Sequence, residues 1–285
     1  MNLLYSYCEK GKGEFNEDVM LYKSKIACVI DGATDVFFDK HKELENIVYV
    51  YVNNLIKKIE SCFTDKKSLK EILKEAISLS TKSIGKKYNL NSYKEYELPT
   101  FSIACIKENK GDYEYLVLGD CFIAIKIDDN VKFIEDNRIS HFSKLNRENI
   151  KKEALDPRID ASAIDIYRQT RKKANSKNGY PIGSVSAIGI KDALYGKIPK
   201  KENLKILLFS DGFIDYFKEK KINYEDAFDK DCLEGFVEDS LSYYLDNDSY
   251  IENLRPKQLD DRTILLLEGE EEEWFLKKIF AVMSI

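Results

Sequence analysis

Histidine is almost missing from this chain, which has two in 285 residues, His41 and His141. That excludes most zinc sites and leaves little room for Ser-His-Asp or Cys-His catalysis. Cysteine occurs six times, at 8, 28, 62, 105, 121 and 232, yet no two form a Cys-x-x-Cys pair. Cys28 and Cys105 lie within apolar runs, where the residue acts as a small hydrophobe. All six are expected to be reduced, as in an intracellular protein. The first residues show no basic stretch followed by an apolar block, and no apolar run approaches the ~20 residues of a membrane span. A cytoplasmic location with no membrane partner is therefore expected. A basic excess is lacking too. The net charge of −5 argues against a nucleic-acid partner, because neutralising phosphates needs a basic surface. Neither internal repeats nor low-complexity linkers occur. The tools left for chemistry are carboxylates and the hard metals they bind.

What is present is material for a large core. Apolar residues make up 44% of the chain, with 18 Tyr and 15 Phe, which marks a folded globular protein. Residues 2–8, Val19–Tyr22 and Ile26–Asp31 read as three strands joined by turns suited to antiparallel pairing. Two amphipathic helices follow, one carrying Leu44, Ile47, Val48, Tyr51, Leu55, Ile56 and Ile59, the other capped by Ser68. Four more strands then come in quick succession: Phe101–Lys107, Tyr113–Leu118, Cys121–Ile127 and Val131–Ile134. Residues 137–180 are polar with no strong apolar stripe and read as a surface excursion. A short helix around Ser186–Leu194, the apolar strand Leu204–Phe209, two helices and the strand Thr263–Leu267 complete the pattern. The expected organisation is one domain over 1–268 and a C-terminal amphipathic tail over 269–285. The fold class is α+β with a β-sandwich inside.

Acids stand at the ends of these strands. Asn16-Glu17-Asp18, Asp31-Gly32, Gly119-Asp120 and Ser210-Asp211-Gly212 adjoin apolar strands, and Asp260-Asp261 precedes the final one. A lone Asp-Gly at a strand end is most simply an Asx turn. Several acids gathered at one end of a sandwich would repel unless cations neutralised them. Mg²⁺ or Mn²⁺ fits, since only carboxylate, carbonyl and water oxygens are on offer. Two such ions about 3.5–4 Å apart can hold a bridging hydroxide for in-line attack on phosphorus.

The order Asn-Glu-Asp, Ile-Asp-Gly-Ala-Thr, Leu-Gly-Asp, Phe-Ser-Asp-Gly, Asp-Asp-Arg-Thr over residues 10–268 resembles the metal-dependent (PPM, type-2C) serine/threonine protein phosphatases. The Asp-Gly-Ala-Thr motif is most similar to a shorter, divergent bacterial branch of that family. The resemblance implies a four-layer α-β-β-α sandwich whose variable flap would be residues 137–180. It implies Asp31 as the aspartate bridging two metals and the Gly32 carbonyl as a ligand of one. Asp211 and Asp260 would be ligands of the other. Glu17 and Asp18 would hold metal-bound waters, and Asp120 would serve a third, weaker site. Asp31 and Asp211 would carry catalysis, with a phosphoprotein as substrate.

Three departures bear on substrate handling. Ala33 stands where the family has a histidine proposed to protonate the leaving group. The phosphate-binding arginine before the Glu-Asp pair is absent, and Lys12 is the expected partial substitute. Cys121 and Phe122 stand where serine and arginine usually follow Gly-Asp. A catalytically silent module that kept the fold, and a phosphatase of small molecules, are the alternatives. Arg168, Arg171 and Lys172 read as a solvated helix face rather than the alternative of a phosphopeptide groove, and His41 as an exposed residue at a helix start.

Overall fold

The computed structural model describes residues 1–40, 46–156, 160–245 and 259–269. The expected tail beyond Gly269, the start of the first helix and His41 lie outside these residues. The chain opens with β1 (Asn2–Glu9), β2 (Asp18–Lys23) and β3 (Ile26–Gly32), followed by α1 (Ile47–Cys62) and α2 (Leu69–Gly85). Ser68 caps α2 as expected. Its hydroxyl accepts from the Glu71 N–H while the Glu71 carboxylate accepts from the Ser68 N–H, a reciprocal capping box. Strands β4 (Thr100–Glu108), β5 (Asp112–Leu118), β6 (Phe122–Ile127) and β7 (Asn130–Glu135) follow. The excursion is a pair of helices, α3 (Arg138–Lys152) and α4 (Ala161–Arg171). Then come β8 (Gly183–Ser184), β9 (Leu194–Pro199), β10 (Lys205–Phe209), α5 (Ile214–Glu219), α6 (Lys230–Leu245) and β11 (Arg262–Glu268).

The strands form two antiparallel sheets, ordered β1-β11-β10-β6-β7 and β2-β3-β4-β5-β9, with β8 pairing β4. The period-2 alternation of strand side chains builds three apolar layers. On β3, Ile26, Cys28 and Ile30 face α1 and α2, while Ala27 and Val29 face the opposite sheet. On β10, Ile206 and Leu208 point into the space between the sheets, while Leu207 and Phe209 join α5 and α6 on the far side. The result is the expected four-layer α-β-β-α sandwich. All six cysteines are free thiols. Among the described residues, no helix is long and apolar enough to cross a membrane.

Two local expectations are corrected. β1 does not pair with β2. It crosses to the other sheet and pairs with β11 in antiparallel register, Cys8 opposite Thr263. The connection 10–17 is too long for a tight hairpin, so β1 is free to take the open edge of β11. The segment read as a helix around Ser186–Leu194 is only a 3₁₀ turn, Ile188–Asp192, after which β9 pairs with β5.

Candidate metal centre

Strand parity delivers the acids to one place. Asp31 shares a face with Ala27 and Val29, so it ends β3 pointing into the space between the sheets. Asp18 lies opposite it in the β2–β3 register, and Ser102 of β4 is its partner on the other side. From the second sheet, Asp211 follows β10 and Asp260 precedes β11. Together Asp31, Gly32, Asp120, Asp211, Asp260 and Asp261 line a cleft of about 260 Å³. The remaining wall includes Thr34, Val36, Thr100 and Ser102 from the sheet side. Ile139, Asn146, Tyr167, Thr170, Arg171, Tyr180 and Ile182 come from the excursion and the stretch after it.

Each acid is held differently. The Ser102 hydroxyl donates to Asp120 Oδ1 and accepts from the Asp120 N–H at 3.1 Å, pinning that carboxylate at the cleft wall. Asp18 is buried behind the cleft rather than lining it. Its Oδ2 accepts from the Ser210 hydroxyl at 2.7 Å, and Ser210 Oγ accepts from the Thr263 N–H at 3.0 Å. Asp18 therefore ties the two sheets together directly beneath Asp31. Asp261 spends both oxygens on backbone. Oδ1 accepts from the Gly11 N–H at 2.7 Å and Oδ2 from the Glu17 N–H at 2.6 Å. Gly32 leaves no room for a side chain, because a Cβ there would come within 2.6 Å of Val48 Cγ1 and 2.8 Å of the Glu17 carbonyl oxygen. That close approach fixes its position next to Asp31.

The electrostatics are those of crowded carboxylates. Burial raises Asp31 well above the usual carboxylate range, and the charges of Asp18, Asp120 and Asp260 push it further. Asp211 is raised by burial and then by the charges of Asp31, Asp120 and Asp260. Burial also raises Asp18 and Asp120, against the lowering effect of their serine hydroxyls. Among the described residues, no three His, Cys, Asp or Glu side chains already stand in metal-holding geometry. The donor set nevertheless fits a hard divalent cation. It is oxygen-only and rich in carboxylate, and the mutual repulsion of these acids is what a cation would relieve.

A pH dependence follows from the sign of these shifts. Raised folded-state values mean that the native protein keeps protons which the unfolded chain gives up. Stability then falls as pH rises from about 4 through the raised values. The chelated protein is expected to melt at progressively lower temperature as pH rises above the ordinary carboxylate range, and Mn²⁺ should restore more stability the higher the pH. Melting curves at successive pH values check it; a chelated protein insensitive to pH would contradict the shared burial of these acids.

Of the residues singled out from sequence, Asp31, Gly32, Asp120, Asp211 and Asp260 meet at the cleft. Glu17 stands beside it, accepting from the Thr34 hydroxyl at 3.5 Å. Lys12 is exposed and does not line the cleft; its N–H donates to the Leu259 carbonyl at 3.0 Å. The reading of the Arg168 and Arg171 side chains as a solvated face is corrected. Arg168 donates to the Val36 carbonyl at 2.7 Å and to Asp39 at 2.6 Å, and it lies over the Phe37 ring. Arg171 lines the cleft and donates to the Thr34 carbonyl at 3.2 Å. Only Lys172 is exposed as expected. The available signal was the i, i+4 face Ala163, Tyr167, Arg171, whose first two members are apolar or aromatic.

No family model matches this chain, and no curated protein matches it in sequence. Solved structures do match over nearly its whole length. The serine/threonine phosphatase PstP/Ppp of Mycobacterium tuberculosis aligns at TM-score 0.55 and 14% identity, covering 94% of this chain and 98% of that one. A second PstP catalytic-domain structure, in complex with two manganese ions, aligns at TM-score 0.54 and 12% identity, with 92% and 95% covered. PppA of Pseudomonas aeruginosa, a regulatory component of a type VI secretion system, aligns at TM-score 0.57 and 12% identity, with 93% and 96% covered. At such identity the likeness is one of fold, the PPM phosphatase sandwich.

Proposed function

We propose, from the premise of that shared fold, that this chain hydrolyses phosphomonoesters with divalent metal ions, and that its substrates are phosphoserine or phosphothreonine proteins. The observation that supports this most is the meeting of Asp31, Asp120, Asp211 and Asp260, from two sheets, around one cleft. Such an arrangement of half-buried, mutually repelling acids costs stability unless cations occupy it. Asp31, the Gly32 carbonyl, Asp211 and Asp260 would hold two Mn²⁺ or Mg²⁺ ions, with Asp120 serving a third. Bound there, the ions would supply an activated water and neutralise phosphoryl oxygens. Asp18 and Ser210 would fix Asp31 from behind, and Glu17 would hold water at the edge. Val36, Ile139 and Ile182 make part of the wall apolar, which restricts bulk water around the phosphoryl group.

A covalent phospho-enzyme is not part of this reading. Burial together with Asp31 and Asp120 holds the Cys121 thiol well above the usual thiol range. A thiol kept protonated is a poor nucleophile. The test is hydrolysis of p-nitrophenyl phosphate and of phosphothreonine peptides with Mn²⁺ and with EDTA. Turnover is expected only with metal, with no phosphorylated protein detected by mass spectrometry. Turnover that survives EDTA, or a trapped phospho-enzyme, would refute the mechanism. Metal binding without turnover would mark a silent module, and turnover restricted to small esters would mark a small-molecule phosphatase.

A further inference from the structure

We infer that Arg171, carried into the cleft by the excursion helix α4, is the group that binds the substrate's phosphoryl oxygens in this protein. The inference rests on the proposed hydrolase reading and supplies what that reading lacks, a cation for the phosphate. Among the described residues lining the cleft, Arg171 is the one side-chain cation, facing a wall that includes Asp31, Asp120, Asp211 and Asp260. Among the described residues, no ion pair joins it to any of them. Its bond to the Thr34 carbonyl sets the guanidinium against the turn that leaves Asp31-Gly32. Tyr180 also faces it: burial raises that phenol, and the guanidinium pulls it back. A guanidinium has five N–H donors, so these contacts leave donors for a bidentate grip on phosphate.

The helix that carries Arg171 is fixed in place. One turn earlier, Arg168 clamps α4 onto the Val36 carbonyl and Asp39, and Thr170 donates to Asn146 Oδ1 of α3 at 2.6 Å. At the base of the excursion, Arg138 grips Asp136 with two bonds of 2.7 and 2.6 Å. The cleft volume equals roughly eight to nine waters' share of liquid, enough for a phosphoryl group and a few waters. A contact made to the phosphoryl group itself serves any phosphomonoester, whereas a peptide-groove contact would serve peptides alone.

The experiment measures inorganic phosphate binding to the Mn²⁺-loaded protein by calorimetry, with steady-state kinetics on p-nitrophenyl phosphate and a phosphothreonine peptide. Arg171→Ala is expected to weaken phosphate binding about 10- to 100-fold and to raise KM for both substrates by a similar factor. Mn²⁺ affinity should be unchanged, which also shows that the variant is folded. Arg171→Lys keeps the charge without the fork and should recover part of the loss. The inference is overturned if phosphate binding is unchanged in Arg171→Ala, if KM rises for the peptide alone, or if the loss appears in Lys12→Ala instead. Wild type that binds phosphate through Arg171 but hydrolyses nothing would sink the hydrolase reading and leave this one standing. Hydrolysis that persists with phosphate affinity indifferent to Arg171 would do the reverse.

Discussion

Asp211→Asn is expected to abolish Mn²⁺-dependent turnover while the chelated protein melts no lower than wild type. Asn keeps the size of the side chain, but it removes one charge from a crowded set. Burial and the Asp31 charge hold the Asp211 carboxyl well above its ordinary range, so its ionised form is a burden on the metal-free fold. Removing it relieves repulsion and can raise stability. Residues behind a metal's ligands typically cost 10- to 100-fold in metal affinity or activity when lost, so a direct ligand should cost at least about 100-fold. A helix-capping role would give the opposite pattern, a loss of about 0.5–2 kcal/mol with turnover intact. The structure offers no such role, because α5 begins at Ile214 after Phe213 with no side-chain cap. Retained turnover at saturating Mn²⁺ would count against Asp211 as a ligand.

Asp261→Ala should behave in the reverse sense although the two aspartates line the same cleft. Asp261 is buried, and its two oxygens accept from the Gly11 and Glu17 N–H groups. Truncation leaves two backbone donors without a partner and frees the connection that positions Glu17 and Asp18. Hydrogen bonds to charged groups contribute about 1.5–3 kcal/mol each, so a loss of about 3 kcal/mol or more is expected in urea unfolding. Asp261→Asn keeps one acceptor oxygen and should lose less. A chelated Asp261→Ala protein as stable as wild type would show that Asp261 belongs with the metal ligands instead.

The contrast between these neighbours bears on what a sequence can reveal. Asp31 was legible because alternation along Ile26–Ile30 dictates which face its side chain takes, and Asp211 because an apolar strand runs straight into it. Asp260 and Asp261 stand side by side, and nothing local shows that it is Asp261 whose two oxygens go to the Gly11 and Glu17 N–H groups. That assignment depends on where β1 goes. Its pairing with β11 joins residues 2–9 to 262–268, a choice made by which sheet edge is open rather than by any local preference. Arg171 was misread for a related reason. On a helix of low apolar content, a cation facing solvent and one facing a cleft follow the same spacing, and only the docking of α4 by Arg168 separates them. Lys12 illustrates the converse: proximity in sequence to Glu17 and Asp18 did not bring its side chain into the cleft.

The most direct measurement is anomalous diffraction at the manganese edge from crystals grown or soaked with Mn²⁺. The account predicts two strong peaks between Asp31, the Gly32 carbonyl, Asp211 and Asp260, with any weaker third peak at Asp120. Crystals that hold Mn²⁺ elsewhere, or show the cleft without it while the same protein hydrolyses p-nitrophenyl phosphate, would contradict the assignment of this cleft as the metal centre.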